Sequence, residues 1–241
     1  GINPDGTDVG IAGVDFVEDT FLVVVSNVVP TLGVTPLTTT LDEGQALGIR
    51  ALFSDPGFDN PLNTNPTVGP VIGDPLAESF RYDIQWGDGR DTVTSTPVAD
   101  TNGAPGVDST GMFGRSHTYA DDGVYTVRVR IADDNMTGNF TAGDDGVDYV
   151  EYSFSVTVNN VVPTLGVTPS PTTINEGGSV SFDATFADDG FDNPINPNAP
   201  VLPLIADPLS ESFRYYIEWG DGRDTVPSTN VADINGGPGV K

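Results

Sequence analysis

The sequence predicts an all-β chain, built as antiparallel β-sandwiches in tandem, and three observations lead there. The first is a repeat. "WGDGRDTV" stands at 86–93 and again at 219–226, and a shift of 133 aligns residues 28–107 with 161–240 without a gap, 53 of those 80 positions being identical. The second is period-two alternation of apolar and polar residues, which marks strands with one buried face. The third is a set of connections dense in Gly, Pro, Asn and Asp, with no capped stretch of helical periodicity between them.

The repeat sets the organisation, because self-similarity at a fixed period is the signature of an array. "VVPTLGVTP" opens both copies at 28 and 161, "GFDNP" recurs at 57 and 190, and "ESFRY" at 78 and 211. The register also runs backwards: "GVDFVEDTFLVVVSN" at 13–27 matches "GVDYVEYSFSVTVNN" at 146–160. Residues 1–27 therefore read as the terminal strand region of a preceding repeat, 28–160 as a complete repeat, and 161–241 as a partial repeat lacking its last strands. The partial repeat stops before any counterpart of 109–133, so both ends are expected to leave apolar faces and strand edges open. The expectation is a window on a longer tandem array. The alternative is a polymer in which the N-terminal strand of one chain completes the open end of the next. Against it, residues 1–27 supply only the final strand, whereas the open end also lacks the one before.

Within one unit the strands follow in order. Leu47, Ile49, Ala51 and Phe53 alternate with Gly48, Arg50 and Leu52. Phe80, Tyr82, Ile84 and Trp86 alternate with Arg81, Asp83 and Gln85. Tyr125, Val127, Val129 and Ile131 alternate with Thr126, Arg128 and Arg130, and Phe154, Val156 and Val158 with Ser155 and Thr157. Antiparallel sheets with one wet face give this pattern, and it predicts a sandwich of immunoglobulin-like type. Trp86 ends its strand on the apolar face and should plug the core. "GDG" then makes a tight turn, since glycine tolerates positive φ and Asp88 can accept bonds from nearby N–H groups.

At this point the residues resemble a known family. "WGDG", then "HTYADDGVYTVRVRIADDN" at 117–135, then "SFSVTVNNVVPTLGVTP", look like the PKD (polycystic kidney disease) domain of bacterial and archaeal surface proteins. The resemblance covers 28–158 as one unit and continues through 159–241. It implies tandem immunoglobulin-like (PKD-type) antiparallel β-sandwiches, serving as an extracellular spacer, adhesion module or accessory domain of a secreted enzyme. The unit is larger than is usual for that family, with the excess in connections at about 54–79, 94–116 and 134–147.

Composition excludes several function classes. The chain has 35 acids against 9 bases, net charge −26, and Asp outnumbers Glu 28 to 7. Such a field repels nucleic acid and anionic membranes, and no apolar run is long enough to span a bilayer, so neither nucleic acid nor membrane insertion is expected. Zero cysteine removes disulfides and thiolate metal sites. Catalysis finds little to work with. His117 is the only histidine and sits in the strand-start "HTY", Lys241 is the only lysine, and Ser116 is a strand neighbour of His117 pointing to the opposite face. The glycine clusters carry no P-loop lysine. The chain is read as a non-enzyme.

Calcium is the sharper expectation. A hard cation wants roughly six to eight oxygens from carboxylates, amides and carbonyls, and no EF-hand spacing supplies them, so topology must. In an immunoglobulin-like sandwich successive loops alternate between two poles. Glu43, Asp121 and Asp122 then fall at the far pole of the complete unit, and the linker Asn159–Asn160 leaves from it. Asp188, Asp189 and Asp192 fall at the near pole of the next unit. The equivalent set one junction earlier is Asn27, Asp55, Asp59, Asp133, Asp134 and Asn135, whose partner acids would come from a unit outside this chain. The competing reading is that all of these are turn and strand-terminating residues, solvated singly, their number reflecting solubility or a salty medium.

Two lesser signals remain. "NMT" at 135–137 and "NFT" at 139–141 are glycosylation acceptor sequences at Asn135 and Asn139. Phe58 and Phe191, inside "GFDNP", are expected to pack against the inserted loop of their own unit, with sugar stacking as the alternative. The functional expectation is a non-catalytic extracellular stalk or matrix element, stiffened by calcium at repeat junctions. Its partners are neighbouring repeats of the same chain, with other copies or surface glycans as further candidates. The alternatives are an accessory binding module of a secreted hydrolase and a subunit of a filament or surface layer.

Overall fold

The computed structural model describes residues 19–60, 78–133, 140, 149–196 and 211–238. All regular structure in them is strand. The first unit carries β1 (Thr31–Pro36), β2 (Thr40–Asp42), β3 (Ala46–Asp55), β4 (Phe80–Gln85), β5 (Val93–Val98), β6 (Asp100–Thr101), β7 (Ser109–Thr118), β8 (Gly123–Ala132) and β9 (Val150–Asn159). The second carries β10 (Thr164–Ser170), β11 (Ser181–Ala187), β12 (Phe213–Ile217) and β13 (Val226–Val231). Among the described residues no helix is long and apolar enough to cross a membrane.

The first unit is a sandwich of a four-stranded sheet, β1-β3-β7-β6, and a five-stranded sheet, β2-β9-β8-β4-β5. That order is the immunoglobulin-like one, with the first strand split between the sheets. Leu37 N–H still donates to Gly48 O of β3 at 2.9 Å, while Thr39 O accepts from Thr157 N–H of β9 at 2.9 Å. The chain changes sheets across those two residues. Every pair is antiparallel except β2 with β9, which run parallel with Thr40 opposite Thr157 and Asp42 opposite Asn159.

Alternation places the core where the sequence puts it. Leu47, Ile49, Ala51 and Phe53 of β3, Phe80, Tyr82 and Ile84 of β4 with Trp86 beyond it, and Tyr125, Val127, Val129 and Ile131 of β8 are all buried. Each such side chain is worth about 1.5–3 kcal/mol when fully buried, so the strands that bring it cover decide whether the unit folds. Arg130 departs from the pattern. Expected on the wet face, it is buried: its Nε donates to Glu151 at 2.7 Å, an Nη donates to Phe140 O at 3.0 Å, and its guanidinium lies 5.3 Å from the Tyr149 ring centroid. A small second cluster, Ala132, Phe140 and Tyr149, covers the outer face there.

The turn after β4 explains the recurring octet. Trp86 is a buried plug whose indole N–H donates to Asp91 O at 3.2 Å, and its ring stacks on His117 at 5.1 Å and 13°. Gly87 has φ 94°, and a Cβ there would stand 2.7 Å from Thr126 O, so no other residue fits. Asp88 accepts from Arg90 N–H at 3.0 Å through one oxygen and pairs with His117 Nε2 at 2.8 Å through the other. Tyr119 O–H donates to Trp86 O at 3.0 Å. Trp, Gly, Asp and His thus form one buried unit, and His117 is part of the packing.

The second unit repeats the hairpins of the first. Thr164 lies opposite Ala187 as Thr31 lies opposite Ser54, and the irregularity between Tyr215 and Ile217 repeats the one between Tyr82 and Ile84. β10-β11 and β12-β13 form two separate two-stranded sheets, and their apolar face is open around Leu165, Val167, Tyr215 and Trp219.

Candidate cation site at the repeat junction

Glu43 occupies the turn between β2 and β3. Its N–H donates to Asn159 O at 3.0 Å, and the next residue, Gly44, donates to Tyr119 O at 2.9 Å, so the backbone is pinned on both sides. The side chain reaches forward into the next unit, where Oε1 accepts the Val161 N–H at 2.5 Å. Glu43 is 1% exposed, and its Oε2 has no hydrogen-bond partner. Leaving a buried carboxylate oxygen unmatched is costly, so such an atom points to something that completes it.

Two more carboxylates meet it. Asp121 lies in the turn between β7 and β8, where one oxygen accepts the Asp122 N–H at 2.8 Å and its carbonyl accepts from Tyr125 O–H at 2.9 Å. Glu211 comes from the second unit, just before β12, and its N–H donates to Asp192 at 2.8 Å. Gly190 makes room for it: a Cβ there would lie 2.6 Å from Glu211 Oε1. One oxygen from each of Glu43, Asp121 and Glu211 lies within 4.8 Å of the others. Oxygens bound to one calcium ion at about 2.4 Å cannot be farther apart than about twice that distance, so the three can share a centre.

Burial is the main cause that raises all three carboxyls. Glu43 rises to about 7, with Asp188, Asp121 and Asp122 adding to burial and the Val161 N–H opposing it. Glu211 also rises to about 7, through burial and then the charges of Asp121, Glu43, Asp188 and Asp192. Asp121 rises to about 6, through burial and the neighbouring Asp122. No basic side chain counters the field on any of them among the described residues. Such a group holds protons or a cation; both relieve the same repulsion.

The other expected residues take different places. Asp188 contributes charge to both glutamates. Asp122 is exposed, and Asp189 lays its carbonyl against Gly44, where a Cβ would be 2.5 Å away. Asp192 organises its loop, accepting the Glu211 N–H while its own N–H donates to Asn235. Asn159 turns its amide to Asp42 at 3.1 Å, and Asn160 is exposed. At the opposite pole of the first unit, Asn27 donates to Asp133 at 2.9 Å. Asp55 is buried with one oxygen on the Gly57 N–H and the other without a hydrogen-bond partner, and burial raises its carboxyl. Asp59 repeats Asp192, accepting the Glu78 N–H and donating its N–H to Asn102. Asp134, Asn135 and Asn139 lie outside the described residues. Glu211 was not anticipated. The signal for it is "ESFRY", where Glu78 and Glu211 are kept in register while the preceding Ala77 becomes Ser210.

A second set of contacts surrounds the carboxylates. Phe191 is buried, its N–H donates to Ala120 O at 2.9 Å, and the Arg90 guanidinium lies 4.8 Å from its ring centroid. Asn193 Nδ2 donates to Asp88 O at 3.0 Å. Phe191, expected to pack on the inserted loop, packs on the preceding unit, and residues 197–210 of that loop lie outside the described residues. The two recurring motifs therefore meet: "WGDGR" of one repeat receives "GFDN" of the next.

No protein-family model and no curated protein matches the chain. Among solved structures it is similar to the CARDB domain of the PF1109 protein from Pyrococcus furiosus, described as in complex with di-metal ions, at 10% identity and a TM-score of 0.30, covering 56% of this chain and 97% of that one.

Proposed function

We propose that the chain is a segment of a tandem array of PKD-like sandwiches, an extracellular stalk or matrix element whose repeat junctions are fastened by calcium. The observation that carries the reading is the carboxylate group contributed by both sides of one junction: Glu43 and Asp121 from the first unit, Glu211 from the second. The donors are all oxygen, with no cysteine anywhere in the chain and the single histidine committed to Asp88, which suits a hard cation and not zinc. Bound there, calcium would neutralise three clustered acids, satisfy Glu43 Oε2 and hold the linker at Val161. In this role the protein transmits position and stiffness along its length and performs no chemistry. Isothermal titration of the chain with calcium tests it. One site is expected, weakened at least tenfold, about 1.4 kcal/mol, in Glu211→Gln, a residue the first unit does not contain. Identical binding by the variant and the parent would remove the junction site.

A further inference from the structure

Asn102 and Gly103 form a dipeptide that the first unit needs and that is chemically labile. Asn102 Oδ1 accepts the Asp59 N–H at 2.8 Å, and Asp59 accepts the Glu78 N–H at 2.7 Å, so the amide at 102 anchors the loop after β3. A Cβ at 103 would stand 2.6 Å from Ser109 N and 2.8 Å from Asp108 C, backbone on the far side of the turn that Ala104 and Val107 close, and only glycine fits. In such a pair no side chain hinders the glycine nitrogen from attacking the asparagine amide carbon. Asn102 is exposed to water, and the Asp59 N–H on its Oδ1 would stabilise the charge that develops there on attack. One residue opposes the reaction. Ser109, 0% exposed, accepts the Gly103 N–H on Oγ at 2.9 Å while its own O–H donates to Gly57 O at 2.7 Å. Its one proton is spent on Gly57, so towards Gly103 the hydroxyl is an acceptor only. A deprotonated nitrogen would face an oxygen lone pair, so this bond favours the protonated, unreactive form.

We propose that Asn102 is a site of spontaneous deamidation, held closed by Ser109 while the loop after β3 is seated. Leaving of the loop takes Gly57 O from the serine hydroxyl and Asp59 from the Asn102 amide, and the Gly103 N–H comes free. The Gly103 nitrogen then loses its proton to water and bonds to Asn102 Cγ. The Cγ–Nδ2 bond breaks, and the side-chain nitrogen takes a proton from solvent and departs as ammonia. Water opens the cyclic imide, at Cγ to give aspartate or at the main-chain carbonyl of residue 102 to give isoaspartate, which carries one more methylene in the backbone. Either product sets a negative charge against Asp59, so the loop reseats less well than it left. The modification is a one-way record of opening at the pole that carries Asp55, and it stands apart from the cation reading.

The test incubates the full chain, folded and in denaturant, at one mildly alkaline pH and reads conversion at Asn102 by peptide mapping, as loss of the amide and as isoaspartate. The parent is expected to convert at least about tenfold more slowly folded than denatured, since only the open form reacts. Ser109→Ala, with β8 amide exchange confirming the fold, is expected to raise the folded rate about fivefold or more and to leave the denatured rate unchanged. Val127→Ala weakens the same core without touching the loop and is expected to raise the folded rate less. Urea below the unfolding transition gives a measure free of substitution: in the parent, conversion should rise in step with hydrogen exchange at the Gly103 amide. Equal rates in the folded and denatured parent, conversion at the parent's rate in folded Ser109→Ala, equal rates in the two variants, or conversion independent of Gly103 exchange would each overturn the proposal.

Discussion

Trp86 and Trp219 follow the first strand of the same hairpin and precede the same turn, yet one is 1% exposed and the other 39%. Tyr82 and Tyr215 differ in the same way, at 2% and 42%, as do Val34 and Val167, at 8% and 51%. The hairpins are identical in register, so local sequence is enough to pair β1 with β3 and β4 with β5, and again β10 with β11 and β12 with β13. What buries their apolar faces comes from elsewhere. β7, β8 and β9 bring Phe113, Tyr125, Val127, Val129, Ile131, Val156 and Val158 between the sheets of the first unit with His117 buried beside them, and the described residues of the second unit include no counterpart of these. Pairing is local; the core is not.

The largest test of this contrast is to remove each tryptophan in turn, leaving the other as the fluorescent reporter. Trp86→Ala is expected to lower the stability of the first unit by about 3–5 kcal/mol, because it empties a packed site. Trp219→Ala is expected to shift denaturant unfolding by less than about 1 kcal/mol, its ring being partly exposed and touching Phe182 at the edge of an open face. Equal effects would mean that the open face of the second unit is covered in solution.

Next in size is calcium. At a free concentration about a hundredfold above the dissociation constant, a single site that binds only the docked form adds about 2.7 kcal/mol, read as a rise in melting temperature over chelator. Glu211→Gln, with binding weakened at least tenfold, should cut the rise by about half or more. Glu176→Gln should leave it unchanged, since Glu176, the counterpart of Glu43, is exposed and belongs to no group of three carboxylates among the described residues.

Acidity sharpens the same comparison. In chelator, Glu43 and Glu211 hold carboxyls near 7 when the units are docked, raised by burial and then by acids that include Asp188 for Glu43 and Asp121 and Glu43 for Glu211, against an ordinary value of 4.5. The docked form binds more protons than the undocked one. Its stabilisation is therefore complete below about pH 4 and disappears as the pH rises through 6 to 7. Calcium reverses the slope, since it needs the ionised groups and displaces their protons. Scattering profiles at pH 5 and 8, with and without calcium, should cross in their degree of extension; parallel pH trends in the two media would exclude a shared carboxylate site.

The smallest effect is at the GFDN tip of the second unit. Asn193→Ala loses one buried hydrogen bond to Asp88 O and should weaken the coupling between units by about 1 kcal/mol.

Much of this was legible in the residues. Alternation gave the buried faces of β3, β4 and β8 residue by residue, and pole assignment brought Glu43, Asp121 and Asp188 to one junction. The failures have a common cause. Glu211 and Asn159 sit at strand ends, where local pattern sets the backbone but tertiary docking decides where the side chain points. Glu211 turns into the junction over Gly190, and Asn159 turns away to Asp42. Arg130 broke its alternation because a remote segment, Phe140 and Tyr149, covers the face it occupies. The contact of Phe191 with Arg90 has no local signal either, because Arg90 lies in the other repeat.

The parallel pairing of β2 with β9 has a mechanical meaning. These two short stretches lie near where the chain enters and leaves the first unit, and they run in the same direction side by side. Tension along the chain pulls one backwards and the other forwards on a common axis. The Thr39–Thr157 and Glu43–Asn159 backbone bonds, with the Asp42–Asn159 side-chain bond beside them, are then strained together in shear. An antiparallel hairpin pulled from its open end parts one bond at a time. Here the bonds between β2 and β9 share the load, so this latch gives way together and not bond by bond.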